Sequence, residues 1–292
     1  MRWTPGGRSQ NLEDRRGESG GGGGIGFGRA GMGIGGTLIL LVLSLIFGRD
    51  FLGGSDTGVP ANYPNQTASG EAAPVQSSPA EEQLIQFNSF VLDDVQKTWA
   101  TLLPQQAGAQ YHDAKLDIYR DAIRTGCGTA PSSVGPFYCP ADQKVYIDLS
   151  FYDELRQRFG VPGDFAEAYV LAHELGHHVQ HILGTDARVR QLQESRPEAQ
   201  NALSVRLELQ ADCYAGVWAN STEQRRLLDA GDVDEALAAA SAVGDDRLQR
   251  QVRGSVNPDT FTHGTAAQRA NWFKRGFTSG DIRNCDTFAG AI

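Results

Sequence analysis

The stretch VLAHELGHHVQHILG, residues 170–184, holds four of the chain's six histidines and one glutamate. Together with the residues before it, FAEAYVLAHELGHHVQHIL predicts a helix, because apolar residues recur every three or four positions and Asp164 is placed for an N-cap. At about 100° per residue, His173 and His177 lie one turn apart on one face, with Glu174 beside them. This spacing predicts one catalytic zinc ion held by the two imidazoles, with Glu174 as general base for the zinc-bound water. The alternative is an ordinary amphipathic helix.

A catalytic zinc site takes three protein ligands and keeps one open position, so a third ligand is needed. His181 lies a further turn along the same helix, and one straight helix does not wrap three ligands around a tetrahedral ion. The pattern H-E-x-x-H-x-x-G-x-x-H solves this with a turn, but the chain has Gln180 and Leu183 at the required Gly and His positions. The third ligand must therefore come from elsewhere in the chain.

The segment LELQADCYAGVWA, residues 207–219, predicts a second helix that supplies this ligand. Glu208 and Asp212 are four residues apart and point the same way, so Glu208 is the predicted zinc ligand and Asp212 the acceptor of a ligand histidine's other ring N–H. The alternative is a solvated acidic pair, but the apolar neighbours favour burial. Small residues allow the two helices to approach closely: Gly176, Ala211, Ala215 and Gly216.

The N-terminal part has a different composition. Residues 17–36 contain 12 glycines in 20 positions, and residues 30–48 contain no charged residue. We therefore predict a flexible segment at 1–29, a transmembrane helix at 30–48, a flexible linker at 49–80 and one folded domain at 81–292. A cleaved signal peptide and a buried core helix are the alternatives for 30–48.

The distribution of positive charge gives a predicted topology. Five arginines precede the predicted span, and no Lys or Arg occurs between Arg49 and Lys97. The positive-inside rule then predicts a single-pass inner-membrane protein with a cytoplasmic N-terminus and an extracytoplasmic catalytic domain. A net charge of −9 argues against a nucleic-acid partner. The oligomeric state stays open.

The four cysteines fit an exported domain, in which disulfides are favoured over free thiols. Cys127 and Cys139 flank a turn-rich loop and are placed to pair locally, which leaves Cys213 with Cys285. Four buried free thiols are the alternative.

The H-E-x-x-H motif followed by E-x-x-x-D is the gluzincin arrangement of zinc metallopeptidases. The chain resembles the neutral zinc metallopeptidase family of bacterial membrane-anchored proteins over nearly all of residues 81–292. The segments that carry the resemblance are GPFYCPADQKVYIDLSF (135–151), HELGHHVQ (173–180), ELQADCYAGVWA (208–219), THGTAAQRANWF (262–273) and CDTF (285–288).

The resemblance implies a zincin-like α+β domain in which an edge strand borders the cleft and binds a peptide substrate by strand addition. The alternating segment KVYIDLSF, residues 144–151, fits such a strand or an ordinary half-buried one. His263 is the first candidate for the group that stabilises the oxyanion, followed by Arg269 and Tyr146.

The remaining histidines, His112, His178 and His181, are predicted to be structural. The favoured function is a membrane-anchored zinc endopeptidase that hydrolyses peptides or proteins. A zinc-stabilised binding or scaffold protein without turnover is the main alternative, and a metallo-hydrolase of a non-peptide amide is a weaker one. The presence of Glu174 favours an enzyme, because a structural zinc does not need a general base.

Overall fold

A computed structural model describes residues 1–18, 75–157, 159–161, 163–290 and 292. These residues form a mixed α+β fold of eight helices and six strands, compatible with a zincin-like fold. The helices are α1 (Pro79–Ala107), α2 (Ser150–Gln157), α3 (Asp164–Ile182), α4 (Thr185–Ser195), α5 (Gln200–Gln224), α6 (Asp232–Ala242), α7 (Asp245–Arg253) and α8 (Ala266–Ser279). The strands are β1 (Leu12–Asp14), β2 (Lys115–Tyr119), β3 (Ala122–Thr125), β4 (Gly128–Pro131), β5 (Phe137–Cys139) and β6 (Lys144–Asp148).

The core is built around helix α3, which carries the histidines. Helix α3 packs against α1, α5 and α6, and α5 packs along α8. Its buried apolar residues, among them Phe165, Leu171 and Leu175, join one continuous hydrophobic core with α1 and α5. The histidine helix is therefore central to the domain and held from several sides.

Glycines allow the helices around the histidines to touch through their backbones. A Cβ atom at Gly176 would lie 3.1 Å from the carbonyl oxygen of Ala211, so α3 and α5 are in close contact where the small residues predicted it. A Cβ at Gly216 would lie only 2.1 Å from the carbonyl oxygen of Phe273 on α8. Gly216 therefore serves the contact of α5 with α8, and not the contact with α3 that the sequence suggested.

The main sheet has the strand order β1-β2-β6-β5, with β5 antiparallel to β6 and the other neighbours parallel. The segment 144–151, which fitted either an edge strand or an ordinary half-buried one, is thus not an edge strand. Its strand part, β6, has neighbours on both sides, and α2 begins at Ser150. Both of its faces are buried, which the alternation of apolar and polar residues did not indicate. The edge strands of this sheet are β1 and β5, of which β5 lines the cavity described below.

The first 18 residues lie against the domain. Strand β1 pairs in parallel with β2, Arg2 donates a backbone hydrogen bond to Leu227 (2.7 Å), and the Trp3 ring contacts Phe87 edge-on. A strand cannot be hydrogen-bonded to a sheet on the other side of a bilayer. The predicted localisation, with the N-terminus and the domain on opposite sides of a membrane, is therefore wrong.

The predicted transmembrane helix at 30–48 lies outside the described residues, as does most of the predicted linker at 49–80. Among the residues that the structure does describe, no helix combines the length and the apolar character needed to cross a membrane. The charge asymmetry that suggested the topology has another explanation for Arg15 and Arg16. Arg15 pairs with Asp117 of β2 (3.0 Å) and Arg16 with Glu81 of α1 (2.6 Å), so both hold the N-terminal segment to the domain.

The predicted disulfides are confirmed: Cys127 bonds to Cys139 and Cys213 to Cys285. The first joins the β3–β4 hairpin loop to the edge strand β5. The second joins α5, one residue after Asp212, to the C-terminal segment. Each bond thus ties a surface segment to an element near the histidine helix.

Candidate metal centre

Three predicted metal ligands come together between α3 and α5. Donor atoms of His173, His177 and Glu208 all lie within 4.8 Å of one another. The Nε2 atom of His173 is 3.2 Å from Glu208 Oε2, and the Nε2 atom of His177 is 3.5 Å from Glu208 Oε1. Helix α3 supplies both imidazoles from adjacent turns, and α5 brings the carboxylate across the Gly176–Ala211 contact.

Asp212 orients His173 from the far side of its ring. Its Oδ1 atom lies 2.8 Å from His173 Nδ1, so His173 donates there and directs Nε2 toward Glu208. Arg269 donates two hydrogen bonds to the same carboxylate, from Nε to Oδ2 (2.8 Å) and from Nη2 to Oδ1 (2.9 Å). The Tyr169 hydroxyl donates a third, to Oδ1. Burial raises the pKa of Asp212, but Arg269 and His173 outweigh it and lower the pKa below its usual value. Asp212 is therefore a buried, fully paired anion.

The second imidazole, that of His177, is oriented by a neutral group. Its Nδ1 lies 2.8 Å from the side-chain oxygen of Gln180. The amide nitrogen of Gln180 donates to the carbonyl of Leu207 (2.8 Å) and to Gln210 (3.1 Å), and Gln210 donates to the carbonyl of Cys285 (3.0 Å). The sequence interpretation assigned no role to Gln180, although its position three residues after His177 on the same helix was available as a signal.

Glu174 lies beside the three ligands and is mostly buried. Burial raises its pKa, partly offset by His173 and His177. Glu174 lines a cavity of about 580 Å³ together with all three candidate ligands. Much of the remaining wall is apolar or aromatic, including Phe137 and Tyr138 of strand β5 and Phe151. The carboxylate that was predicted as general base thus faces the space in which a ligand would bind.

His263 also lines this cavity, as the sequence interpretation requires of an oxyanion-stabilising group. Asp245, which the sequence interpretation missed, orients it. The Asp245 carboxylate accepts the backbone N–H groups of Thr262 (2.7 Å), His263 (2.7 Å) and Gly264 (3.1 Å), and its other oxygen is 3.3 Å from His263 Nδ1. Burial lowers the pKa of His263, but the carboxylates of Glu208 and Asp245 outweigh it and raise the pKa. No local sequence signal marked Asp245, because 18 residues separate it from His263.

The two other candidates for oxyanion stabilisation are engaged elsewhere. The Arg269 guanidinium is at the cavity wall but donates to Asp212 and Tyr169. The Tyr146 hydroxyl donates to Asp142 (2.7 Å), and its ring stacks on Phe137. The Nε and Nη2 groups of Arg269 and the hydroxyl of Tyr146 are thus committed to other residues.

The histidines predicted as structural lie outside the three-donor cluster. His178 contacts the Tyr138 hydroxyl through Nδ1 (2.9 Å) and the carbonyl of His112 through Nε2 (2.7 Å). The carbonyl can only accept, so Nε2 carries the proton and Tyr138 donates to Nδ1. His181 pairs with Asp186 (2.9 Å).

The donor geometry fits a zinc ion. Ligand atoms about 2.0–2.2 Å from a tetrahedral ion are about 3.3–3.6 Å from one another. The two measured separations to Glu208, 3.2 and 3.5 Å, are close to this range. The set of two imidazoles and one carboxylate is also that of a catalytic zinc site with an open fourth position. Burial raises the pKa of Glu208, but His177, His263 and His173 outweigh it and lower the pKa well below its usual value, so the carboxylate is ionised.

A mixed α+β domain in which one helix presents His-Glu-x-x-His and a second helix brings a carboxylate to the two imidazoles is compatible with a zincin-like metallopeptidase fold. The chain is a member of the family described as "Putative neutral zinc metallopeptidase", whose model matches residues 1–288. The predicted family is thus confirmed, and the match extends to the N-terminal segment that the sequence interpretation left out.

Two relatives illustrate the extent of similarity. The chain is 50% identical over 296 residues to "Uncharacterized protein YpfJ" of Escherichia coli strain K12, which covers 100% of both chains. It is 46% identical over 212 residues to "Uncharacterized protein Mb2605" of Mycobacterium bovis, which covers 68% of this chain and 69% of the relative. No solved structure matches the chain significantly.

Proposed function

We propose that the protein is a zinc-dependent endopeptidase that hydrolyses peptide bonds with Glu174 as general base. The observation that carries the proposal is the convergence of His173, His177 and Glu208 beside Glu174 in one cavity. The family supports a zinc-dependent hydrolase and a peptide or protein substrate. In this proposal one zinc ion is held by the three converging side chains.

When bound at these residues, zinc supplies a Lewis acid that polarises the scissile carbonyl and lowers the pKa of water. Glu174 takes the proton of the attacking water and passes it to the leaving amine nitrogen. Its raised pKa brings the carboxylate closer to neutral pH, where both accepting and returning a proton are feasible. Asp212 and Gln180 keep the two imidazoles in the orientation that leaves Nε2 free for the metal.

We assign the stabilisation of the developing oxyanion to His263. Its imidazole lines the cavity and is held at Nδ1 by Asp245 (3.3 Å), so a ring N–H can donate a hydrogen bond to an anionic oxygen. Asp245 holds the loop at three consecutive backbone N–H groups and so fixes where this imidazole stands. In this assignment Asp245 is a positioning residue and His263 contacts the reacting atoms.

A peptide substrate is expected to add to the free edge of β5. This strand lines the cavity with Phe137 and Tyr138, and its other edge is paired with β6. Main-chain hydrogen bonds to an edge strand give affinity with little dependence on sequence. Such a binding mode suits an endopeptidase that accepts many sequences.

The test is cleavage of a diverse peptide library by the full chain loaded with zinc, read by mass spectrometry. Wild type is compared with Glu174→Gln and with Glu194→Gln, which removes an exposed glutamate outside the cavity. We expect Glu174→Gln to lower the cleavage rate about 10²–10⁴-fold while zinc content stays at one ion per chain, and Glu194→Gln to match wild type.

The same experiment separates the alternative function. A protein that binds zinc at these residues but cleaves no peptide, whether Glu174 is present or not, would be a zinc-stabilised binding or scaffold protein. Equal cleavage by wild type and Glu174→Gln would place the reaction elsewhere.

A further inference from the structure

A second, smaller cavity of about 340 Å³ lies next to the main one. It is lined by Phe159, Ala242, Arg247, Arg250 and Gln251. Phe159 also lines the main cavity. The two cavities are therefore neighbours that share the Phe159 side of their walls.

Helix α7 lines both cavities. Asp245 and Leu248 face the main cavity, and Arg247, Arg250 and Gln251 face the second. These two sets lie on different sides of the helix, as expected for positions separated by about 100° per residue. One rigid element thus carries both the residue that orients His263 and two arginines of the neighbouring cavity.

The two arginines are not paired with a carboxylate in the part of the chain that the structure describes. Both are exposed, and among the residues that the structure describes no carboxylate lies within ion-pair distance of either guanidinium. The acidic residues at the start of α7 are occupied elsewhere. Asp245 binds the 262–264 backbone, and Asp246 accepts the backbone N–H of Ala266 (2.7 Å).

Unpaired guanidinium groups are notable in a chain whose net charge is −9. Arg247 and Arg250 are three residues apart and so adjacent on the helix surface. A planar guanidinium matches a carboxylate by two parallel hydrogen bonds. Two such groups at the wall of a cavity that also holds an aromatic ring form a site for a carboxylate on a partly apolar chain.

We propose that Arg247 and Arg250 form an anion-binding subsite of the cleft, which selects peptides that carry a carboxylate a few residues from the scissile bond. The identification of the ligand as a substrate rests on the proposed peptidase function. The carboxylate belongs either to an Asp or Glu side chain or to the C-terminus of the peptide, and both bring the same chemistry to the arginines.

Binding is tested first, because it does not require turnover. The full chain with Glu174→Gln is titrated into peptides that carry a neutral fluorophore, and fluorescence anisotropy is recorded. One peptide holds glutamates and ends in an amide, one holds glutamines and ends in a free carboxylate, and one holds glutamines and ends in an amide. We expect the last peptide to bind at least about fivefold more weakly than one of the first two, which identifies the source of the carboxylate.

The matched variants are Arg247→Gln with Arg250→Gln, compared with Arg253→Gln. Arg253 is exposed on the same helix but does not line the cavity. The double variant is expected to weaken binding of the preferred anionic peptide about tenfold and to leave the neutral peptide unchanged, with Arg253→Gln like wild type. Equal affinity for all three peptides, or equal loss in Arg253→Gln and the double variant, would overturn the subsite.

Cleavage is measured in parallel with Glu174 intact. The double variant should raise KM for anionic peptides about tenfold at unchanged kcat, with neutral peptides unaffected. If wild type cleaves nothing but still prefers the anionic peptides, the peptidase proposal fails and the subsite stands. If wild type cleaves anionic and neutral peptides with the same KM, the subsite fails and the peptidase proposal stands.

Discussion

Histidines on the two sides of helix α3 have opposite surroundings, charged on one side and neutral on the other. Toward α5, His173 is embedded in charge, between Asp212, Glu208 and the Arg269 guanidinium. On the other side, five residues along, His178 is held by a tyrosine hydroxyl and a backbone carbonyl. Burial lowers the pKa of both imidazoles, but the carboxylates overcome it for His173, whose pKa is raised to about 10. For His178 burial wins, and its pKa is lowered to about 4.

The difference teaches that burial alone does not set the charge of a histidine. The side facing α5 gathers anions, which attract a metal cation and keep it bound. The opposite side must remain neutral, because its partners offer one donor and one acceptor and no counter-charge. The same residue type on one helix thus serves a candidate metal centre on one side and the attachment of the cleft strand β5 on the other.

The largest expected effect comes from removing the charge of Asp212, on the side of α3 that faces α5. Asp212→Asn leaves the Arg269 guanidinium buried without its counter-ion. We expect the free energy of unfolding of the metal-free protein to fall by about 3–5 kcal/mol, measured by urea denaturation. Adding Arg269→Gln should recover part of this loss, because the uncompensated charge is then removed. Strictly additive losses in the double variant would contradict the buried ion pair.

The second effect is the pH dependence of folding stability that His178 contributes. Below about pH 6.5 an unfolded chain protonates His178, whereas the folded chain keeps it neutral down to about pH 4. The unfolded state therefore binds more protons in this window, and the stability linked to His178 falls by about 3 kcal/mol as pH drops through it.

His178→Gln removes this titration while keeping a donor and an acceptor. The unfolding free energies of the metal-free wild type and the variant are compared at pH 7 and pH 4. We expect the advantage of wild type over the variant to shrink by about 3 kcal/mol at the lower pH. An advantage that does not change with pH would show that the folded protein protonates His178 as readily as the unfolded chain does.

The third effect tests whether the neutral Gln180 side chain that orients His177 matters for zinc binding as much as the charged Asp212 that orients His173. Gln180→Met keeps the side-chain volume but removes the acceptor for His177 Nδ1. We expect zinc affinity to fall about 10–100-fold, measured by competition with a chelator. The control is Gln193→Met, which removes a buried glutamine that lines the same cavity but is hydrogen-bonded to Gln200 and Ser204 instead of a ligand histidine. Equal loss of affinity in both variants would assign the effect to general destabilisation.

The smallest effect concerns the hydrogen bond between the Tyr138 hydroxyl on the cleft strand β5 and His178. Tyr138→Phe removes the hydroxyl that donates to His178 and changes little else. The expected loss is about 0.5–1.5 kcal/mol of unfolding free energy, measured at pH 7. Zinc affinity should stay within twofold of wild type. A loss of zinc affinity as large as that of Gln180→Met would mean that the two sides of α3 are not independent.

Local spacing was enough to predict the residues that converge at the centre. His173, Glu174 and His177 are on one helix, and Glu208 and Asp212 on another, so each group is positioned by helix periodicity alone. The cysteine pairs followed from the small number of cysteines and the loop between the first two. The α+β class followed from the resemblance to the zinc metallopeptidase family, which the alternating segment at 144–151 also fitted.

Long-range pairing could not be predicted from local patterns. Residues Leu12–Asp14 have no strong strand signal, yet they pair with β2 about a hundred positions away in the chain. Asp245 and His263 meet through a loop, and Arg269 meets Asp212 from another helix. The central position of β6 likewise depends on which strands lie beside it.

The sequence by itself determined the chemistry of the centre: which imidazoles share a face, which carboxylates can meet them, and which family the chain belongs to. The tertiary structure decided what surrounds those groups. It placed a cation behind Asp212, a neutral amide behind His177, and two arginines on the wall of a cavity beside the cleft. The physical reason is that helix periodicity is a local property of the backbone, whereas burial and partner charge depend on elements that are far apart in the chain.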